Sequence, residues 1–563
     1  MAEQNLTTIK NNESFLKGNM FPLCAVALCI VTRLLFFGRY IDEWDSVNFA
    51  FGLSKGYDIL HDQPHFPGYP VYMFFSWIGY KIIGSDIKAL IFSGVLFSSI
   101  SVFPLYELAK RMFSQNVAIL AVVLYIVNPQ MWLQAEKPLS DAFGLFFVIT
   151  SVLFFYLALE QAAVSKDMPE YRERNENNVL TYLAIGGFLL GLGIGVRVTY
   201  LALIPVMLYV AFHSRNIFSV RRLAAWGGLG IVAGVSSWLV YLIIHFTPGK
   251  FFKKFLRHAE YHFYKDGNSI VTTDSFFERA YDIAYRFIAH CMGLWWQDAF
   301  LLRVVPTIIV IVSLVYFFKK VRWSEKIRFL LVVFLFYGLW ILFIQDAIRQ
   351  IMVLVPFMAM VISAGLLCFY TYYLKNKRYG RVSFYLLTGV FIVSHAVDSM
   401  RLVSINRDKK PPSVLQIDYI KENYQKEDTK FYCLNDWRLF QYYAPEWCDR
   451  KNTHVYFVSH MSGVKNDLKR LKKKPENVLI SSKLFGRHKY AERLKKVAVF
   501  ERDVYGVADY NLLALYRFEG KAQIKEPVER REHSNRQGIV EEQEGMLQST
   551  VGSRQSAKLQ IAD

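Results

Sequence analysis

Long apolar runs constrain the fold of this chain more than any other feature of its sequence. A helix needs about 20 apolar residues to cross a hydrocarbon core of roughly 30 Å. Runs of this kind lie at 20–38, 88–108, 117–133, 139–160, 180–196, 198–212, 224–246, 300–318, 327–345, 351–373 and 383–398. Because 53% of the residues are hydrophobic, we predict a mainly α, polytopic membrane protein with about eleven transmembrane helices.

The short apolar segment 69–83 decides which side of the membrane each later loop faces. If this segment lies in the membrane surface, the Lys- and Arg-rich loops between later spans share a side with the N-terminal residues 1–19. Clustered positive charge is typical of cytoplasmic loops. We therefore predict a surface helix at 69–83 within a first outer loop at 39–87, and a large outer loop at 247–299.

The predicted transmembrane domain, 20–400, is followed by a region with shorter hydrophobic runs. These runs have the length of strands and lie at 430–435, 454–459, 477–482, 497–501 and 512–518. They alternate with polar helical patterns such as 464–474, which indicates a small soluble α/β domain at 401–520 on the outer side. Cys433 and Cys448 would lie there in oxidising surroundings, and the sequence leaves open whether they form a disulfide.

The net charge of +19 is large enough to raise the question of a nucleic-acid partner. Most Lys and Arg residues stand beside the predicted spans, where positive charge orients helices and contacts anionic lipid. We therefore expect membrane lipids, and no nucleic acid, among the partners. The last residues, 521–563, are rich in Glu, Gln, Arg and Ser and are predicted to be a disordered tail.

Ionisable residues gather on the predicted outer face. They are Asp42, Glu43, Asp45, His61, Asp62 and His65 in the first outer loop, Glu136, Lys137 and Asp141 between the third and fourth spans, and Arg197 and Arg349 further on. Burial of such residues costs several kcal/mol unless they are paired or hydrated, so they are functional candidates. Carboxylates beside arginines supply a general base together with cations that hold a phosphate. A structural interpretation also stands, since either arginine is a suitable ion-pair partner for Asp141.

Metal binding is not indicated by the sequence. His258 and His262 lie one helical turn apart in "HAEYH", but the order of residues is not that of a zinc protease. The six cysteines have no spacing typical of a zinc site. We therefore predict no metal ligands in this chain.

The acidic stretch "IDEWDSVNFAFG", with "PHFPGYP" after it, resembles motifs of the C-type glycosyltransferase superfamily. The resemblance covers roughly residues 20–400, and the protein O-mannosyltransferases and aminoarabinose transferases are the most similar branches. In that superfamily Asp-Glu is followed by two residues, an aromatic and a small residue. Asp42 with Glu43 matches the first two letters, whereas Asp45 stands at the matching distance from Phe49 and Ala50.

The resemblance implies a catalytic aspartate, and the distance to the aromatic residue favours Asp45 over Asp42 as the general base. If both lay on one helix, they would be three residues apart on one face and would line one pocket. By the same resemblance, "PHFPGYP" corresponds to a His-Pro-Pro turn that contributes His65 and Tyr69 to substrate binding.

The remaining site residues follow from the same resemblance. Asp141 looks like the second acid of the superfamily, at the start of a span. Arg349, followed by Pro356, looks like its late arginine-then-proline pattern. Lys137 and Arg197 complete the predicted set that binds the lipid phosphate. Ser46 and Phe66 depart from the superfamily pattern and leave the sugar undefined.

The function implied is sugar transfer from a polyprenyl-phosphate donor to a glycan, lipid or protein hydroxyl outside the cytoplasm, with inversion. The donor carries its own phosphate leaving group, so no cofactor is required, although a divalent cation is not excluded. Two other functions fit many spans with buried charges: a transporter or flippase of lipid-linked substrates, and a noncatalytic partner in a membrane assembly.

Overall fold

The computed structural model describes residues 20–518 with short gaps. The gaps are 168–171, 265–268, 274, 295–299, 322–323, 345–346, 435, 449–453, 459–460, 471–474, 483–493 and 503–511. The predicted cytoplasmic segment 1–19 and the predicted tail 521–563 lie outside the described residues.

Helices make up most of the described chain. Their bounds are α1 Met20–Leu35, α2 Trp44–Ser54, α3 Pro70–Ile83, α4 Asp86–Ile100, α5 Val102–Met112, α6 Gln115–Val127, α7 Pro129–Ala135, α8 Asp141–Asp167, α9 Arg172–Ile194, α10 Ile204–His213, α11 Val220–Phe246, α12 Pro248–Tyr264, α13 Phe276–Tyr285, α14 Phe300–Lys320, α15 Glu325–Phe343, α16 Ile348–Ile351, α17 Val355–Phe369, α18 Gly380–Asp408, α19 Pro412–Asn423, α20 Asp436–Tyr443 and α21 Met461–Arg470. A 3₁₀ turn at Val198–Leu203 leads into α10. The mainly α membrane fold predicted from the apolar runs is confirmed.

Eight helical stretches of the described residues are long and apolar enough to cross a membrane, or nine if the pair α6 and α7 is one span bent by 59°. They match nine of the predicted runs. The other two runs coincide with α1, which is a shorter apolar helix, and with α14. Helix length and composition therefore support eight or nine of the eleven predicted spans. Many apolar side chains of α11, such as Leu229, Val232 and Ile244, are exposed, as expected where a helix faces lipid.

Helix α3 begins and ends at the same end of the helix bundle. At its N-terminus the Tyr69 ring lies 4.9 Å from Phe49 of α2. Beyond its C-terminus, the Asp86 carboxylate accepts a 3.0 Å hydrogen bond from Tyr442, whose ring is 5.9 Å from Phe51 of α2. With only 14 residues, α3 is also too short to span the hydrocarbon core. That α3 lies in the membrane surface stays a prediction, which the sidedness of chemical labelling can test.

This placement predicts the sidedness of exposed lysines on either side of α3. Cysteines introduced at Lys55 and Lys88, in a background without the six native cysteines, should react with a membrane-impermeant maleimide from the same side. A cysteine at Lys326 should react from the opposite side, because Lys326 donates to the Arg111 carbonyl at the far end of α5. Labelling of Lys55→Cys and Lys88→Cys from opposite sides would show that α3 crosses the membrane.

The C-terminal domain is a five-stranded sheet with helices on both faces. Its strands are β1 Thr429–Cys433, β2 Val455–Phe457, β3 Asn477–Ser481, β4 Leu494–Glu501 and β5 Leu512–Phe518, in the spatial order β2-β1-β3-β5-β4. β1 is parallel to β2 and β3, whereas β5 is antiparallel to β3 and β4. Side chains alternate between the faces, so Phe431 packs on Phe440 of α20 and Tyr432 donates to Asp467 of α21.

The junction between membrane and soluble parts is continuous. α18 runs through the predicted boundary at residue 400 and ends at Asp408. All five predicted strands coincide with observed strands. Cys433 on β1 and Cys448 are not joined by a disulfide in the structure.

Candidate active site

Helix α2 starts inside the acidic stretch and separates its carboxylates. Glu43 is the N-cap residue in an extended conformation, with φ −119° and ψ 149°, and Asp45 lies in the first helical turn. Asp42 precedes the helix. The expectation that Asp42 and Asp45 share one helical face is therefore wrong, because the extended residue between them sends their side chains to different partners.

Asp45 lies between an arginine and a histidine. Its Oδ2 accepts a 2.5 Å hydrogen bond from Nη2 of Arg349, and its Oδ1 is 3.6 Å from Nε2 of His65. Burial alone would raise the pKa of the Asp45 carboxyl, but Arg349 and His65 outweigh burial and hold this pKa below its ordinary value. Asp45 is consequently a carboxylate at neutral pH. Its side chain is 15% exposed and that of Arg349 is 21% exposed, so a bound molecule can reach both.

The turn "PHFPGYP" holds His65 against α2. Its imidazole Nε2 is 2.9 Å from the Tyr69 hydroxyl, and its ring is 5.1 Å from the Trp44 ring. Burial lowers the pKa of His65 despite the nearby Asp45, so the ring is neutral at neutral pH. Tyr69 has φ 48°, in the left-handed region that bulky residues rarely adopt. Strained backbone of this kind is found preferentially at functional sites.

Asp42 is buried and doubly paired. Its Oδ2 accepts hydrogen bonds from Nζ of Lys137 at 2.8 Å and from Nη2 of Arg502 at 2.6 Å. Burial raises the pKa of Asp42, but these two cations together lower it to about 2. The three side chains are only 1–5% exposed, so Asp42 is less accessible to a substrate hydroxyl than Asp45.

Glu43 connects the two carboxylate sites. Its Oε1 is 3.4 Å from Nζ of Lys137, and its Oε2 is 3.3 Å from Nη1 of Arg349. Burial raises the pKa of Glu43, while the two cations oppose that rise. Through this one glutamate, the first outer loop contacts both the α7–α8 junction and α16.

Asp141 and Arg197 form a second buried ion pair beside the first. Asp141 starts α8, where a helix N-terminus favours an acid, and its Oδ1 accepts from Nη1 of Arg197. Arg197 is extended just before the 3₁₀ turn, and its guanidinium lies 6.0 Å from the Tyr69 ring. The second carboxylate oxygen of Asp141, Oδ2, has no hydrogen-bond partner among the described residues. Because Tyr69 contacts both Arg197 and His65, its side chain joins this pair to the Asp45 group.

The structure brings the predicted site residues together as two connected groups. Asp45, His65, Tyr69 and Arg349 form one group, in which Asp45 and Arg349 are partly exposed and His65 and Tyr69 are buried. Asp141 and Arg197 adjoin this group. Asp42 and Lys137 lie in a buried group behind it. Sequence reasoning missed the bridging position of Glu43 and the presence of Arg502. No local pattern signals Arg502, because only folding of the C-terminal domain brings it to a motif 460 residues away.

Potential metal ligands do not converge in the described part of the chain, where no group of three His, Cys, Asp or Glu side chains is placed to hold an ion. The rings of His258 and His262 lie 4.3 Å apart on α12, and His258 is 6.3 Å from His65.

Removal of the buried ammonium of Lys137 should destabilise the fold. Lys137→Met leaves two buried carboxylates with one cation fewer, and breaking a buried ion pair typically costs about 3–5 kcal/mol. We expect a clearly lower melting temperature for this variant in detergent. Lys88→Met, which removes an exposed lysine, should melt like the parent protein. Equal melting temperatures for both variants would show that the buried group contributes nothing to stability.

Part of the chain matches a known family. Residues 62–241 match the family model described as dolichyl-phosphate-mannose-protein mannosyltransferase. This is less than half of the chain; it contains His65 and Arg197 but neither Asp45 nor Arg349. No curated protein matches significantly.

Solved structures resemble this chain at low sequence identity. ArnT from Cupriavidus metallidurans bound to undecaprenyl phosphate is 10% identical, with a TM-score of 0.52 over 89% of this chain and 98% of that protein. Its apo state gives 11% identity and a TM-score of 0.51 over the same shares. An oligosaccharyltransferase from Archaeoglobus fulgidus, tethered with an acceptor peptide, is 14% identical with a TM-score of 0.47 over 77% of this chain. The chain spans 64% of the length of that protein.

Proposed function

We propose that this chain, whose fold is that of the C-type glycosyltransferase superfamily, transfers a sugar from a polyprenyl-phosphate donor to an acceptor hydroxyl. One observation carries the proposal: the accessible carboxylate of Asp45 lies beside the accessible guanidinium of Arg349. A base next to a phosphate-binding cation is the pair that such a transfer needs. The family name and the bound undecaprenyl phosphate in ArnT support this donor class.

The assignment of Asp45 as the base is supported by access. Its side chain is 15% exposed, whereas that of Asp42 is 5% exposed and faces two cations. In the resting state Arg349 makes Asp45 a weak base, since it stabilises the charged form. When Arg349 turns to the donor phosphate, Asp45 loses part of that stabilisation and its pKa rises. Donor binding thereby prepares the carboxylate to accept a proton.

The reaction is a single displacement at the anomeric carbon. The acceptor oxygen forms a bond to that carbon as Asp45 takes the hydroxyl proton, and the bond from the carbon to the phosphate oxygen breaks. Arg349 and Arg197 stabilise the charge that develops on the departing polyprenyl phosphate, and Tyr69 donates a hydrogen bond to it. Attack opposite the leaving group inverts the anomeric configuration.

No cofactor is needed in this scheme, because the donor itself supplies the leaving group. Transfer should therefore persist in excess EDTA. The positive-inside rule supports a site that faces away from the cytoplasm, on the side opposite the predicted basic loops. The acceptor is a glycan, lipid or protein hydroxyl reached from that side, and the sugar is a hexose or pentose.

The function can be tested with purified protein in liposomes. A panel of undecaprenyl-phosphate and dolichyl-phosphate sugars, radiolabelled in the sugar, is offered with a mixture of candidate acceptors. We expect release of the polyprenyl phosphate and transfer of label from at least one donor. Movement of intact donor across the bilayer without cleavage would identify a flippase instead. Absence of both activities and of donor binding would favour a noncatalytic assembly partner.

A further inference from the structure

The C-terminal domain holds the first outer loop at several points. The Tyr443 hydroxyl accepts from the Ile41 N–H at 2.7 Å and donates to the Ile41 carbonyl at 3.1 Å. Nη2 of Arg438 donates to the His61 carbonyl at 2.7 Å. These contacts flank the acidic stretch on both sides. The domain therefore rests directly on the loop that contains the candidate base.

Arg502 is the deepest of these contacts. It follows β4, and its side chain is 2% exposed where it meets Asp42. A buried arginine that pairs with a carboxylate of another part of the fold is costly to desolvate, so its geometry has to be well defined. The pair fixes the C-terminal domain to the start of α2.

Beyond Asp42, oppositely charged groups alternate all the way to Asp45. Asp42 is 2.8 Å from Lys137, and Lys137 is 3.4 Å from Glu43. Glu43 is in turn 3.3 Å from Arg349, which lies 2.5 Å from Asp45. In this charge chain from Asp42 to Asp45, Lys137 and Arg349 are each shared between two carboxylates. Loss of a charged group at one end therefore changes how strongly the next cation pairs with each of its two carboxylates.

We infer that Arg502 is a positioning residue through which the seated C-terminal domain sets the geometry of Arg349 and Asp45. The inference rests on the proposed function. Without Arg502, Asp42 draws Lys137 away from Glu43. Glu43 then draws Arg349 away from Asp45, because it has lost its other cation. The base and the phosphate-binding guanidinium lose their alignment although neither has been altered.

The charged and titratable groups around Asp45 come from several elements. They are Glu43, His65, Tyr69, Arg197, His258 and Arg349. Of these, Glu43 and Arg349 are the members of the charge chain. Loss of Arg502 should thus move the acid limb of the rate profile to higher pH, since Asp45 binds a proton more readily when Arg349 is further away.

The test compares Arg502→Gln with Lys495→Gln, which removes an exposed positive charge from β4 of the same domain. The assay is transfer from the radiolabelled polyprenyl-phosphate sugar that the parent protein accepts. We expect kcat/KM to fall about tenfold or more in Arg502→Gln, with the acid limb at higher pH. Arg502→Lys should restore part of the rate, and Lys495→Gln should match the parent protein.

A charge-balanced double variant separates positioning from simple loss of folding. In Arg502→Gln with Asp42→Asn, Lys137 is no longer drawn from Glu43, so the acid limb should return toward that of the parent protein. A merely structural role would lower the amount of folded protein and leave the pH profile unchanged. The inference is overturned if Arg502→Gln has the parent's kcat/KM and pH profile while Asp45→Asn is inactive. Full activity in Asp45→Asn would instead overturn the proposed function.

Discussion

Asp45→Asn should lower the rate of sugar transfer by about 10²–10⁴-fold, the range supplied by a general base. The change keeps the size of the side chain and removes its ability to accept the acceptor proton. The amide oxygen still accepts a hydrogen bond from Arg349, so donor binding should be retained. We expect a large fall in kcat with little change in KM, measured by transfer of label from the polyprenyl-phosphate donor.

The control for this prediction is Asp58→Asn in the same outer loop. Asp58 pairs with the exposed His61 at 2.6 Å and makes no contact with the charge chain. It should leave both kcat and KM close to those of the parent protein. Loss of activity in Asp58→Asn but not in Asp45→Asn would show that the catalytic group of this loop is not Asp45. If Asp42→Asn alone abolished proton transfer while remaining folded, the assignment to Asp45 would be wrong.

Arg349→Met should damage both donor binding and the base. Removing a cation that stabilises developing charge commonly costs about 10²–10³-fold in rate. The guanidinium also contacts Asp45 and Glu43 directly. Its loss therefore removes a positive charge that stabilises both carboxylates. We expect KM for the donor to rise and kcat to fall, and native mass spectrometry should show weaker binding of undecaprenyl phosphate.

The pH dependence of Arg349→Met has a defined sign. In the parent protein Arg349 and His65 hold the pKa of Asp45 below its ordinary value, so the carboxylate persists well into acid and activity is lost only at low pH. In the variant, burial is less opposed, so the pKa of Asp45 rises. Activity should then be lost at higher pH as the solution is acidified.

Arg328→Met is the matched control for Arg349→Met, because Arg328 is an exposed arginine on α15. It should leave both the rate and the pH profile unchanged. An acid limb that stays in place in Arg349→Met, with a normal donor KM, would show that Arg349 neither tunes Asp45 nor holds the phosphate.

Most of the fold was predictable because membrane helices and strands are specified locally. A run of about 20 apolar residues has few alternatives to a spanning helix. The strands of the C-terminal domain also followed from short alternating runs, and all five coincide with observed strands. At α1 the predicted run of 20–38 exceeds the observed helix, whose 16 residues are fewer than the roughly 20 that a span needs.

The candidate site was predictable as a set of residues but not as an arrangement. The spacing from Asp45 to Phe49 favoured Asp45, and the structure shows it as the more exposed of the two aspartates. The assumption of one helical face failed because Glu43 is extended. Only backbone geometry decides where a helix begins within a run of polar residues.

The sequence by itself determined that this chain is a polytopic membrane protein with ionisable residues gathered around one acidic stretch. Those properties depend on local composition and on charge asymmetry between loops. The tertiary structure alone decided that Asp42 is enclosed by Lys137 and Arg502 while Asp45 remains accessible beside Arg349. Ion pairing and exposure depend on contacts between residues 95 to 460 positions apart, and such contacts produce no periodic pattern in the sequence.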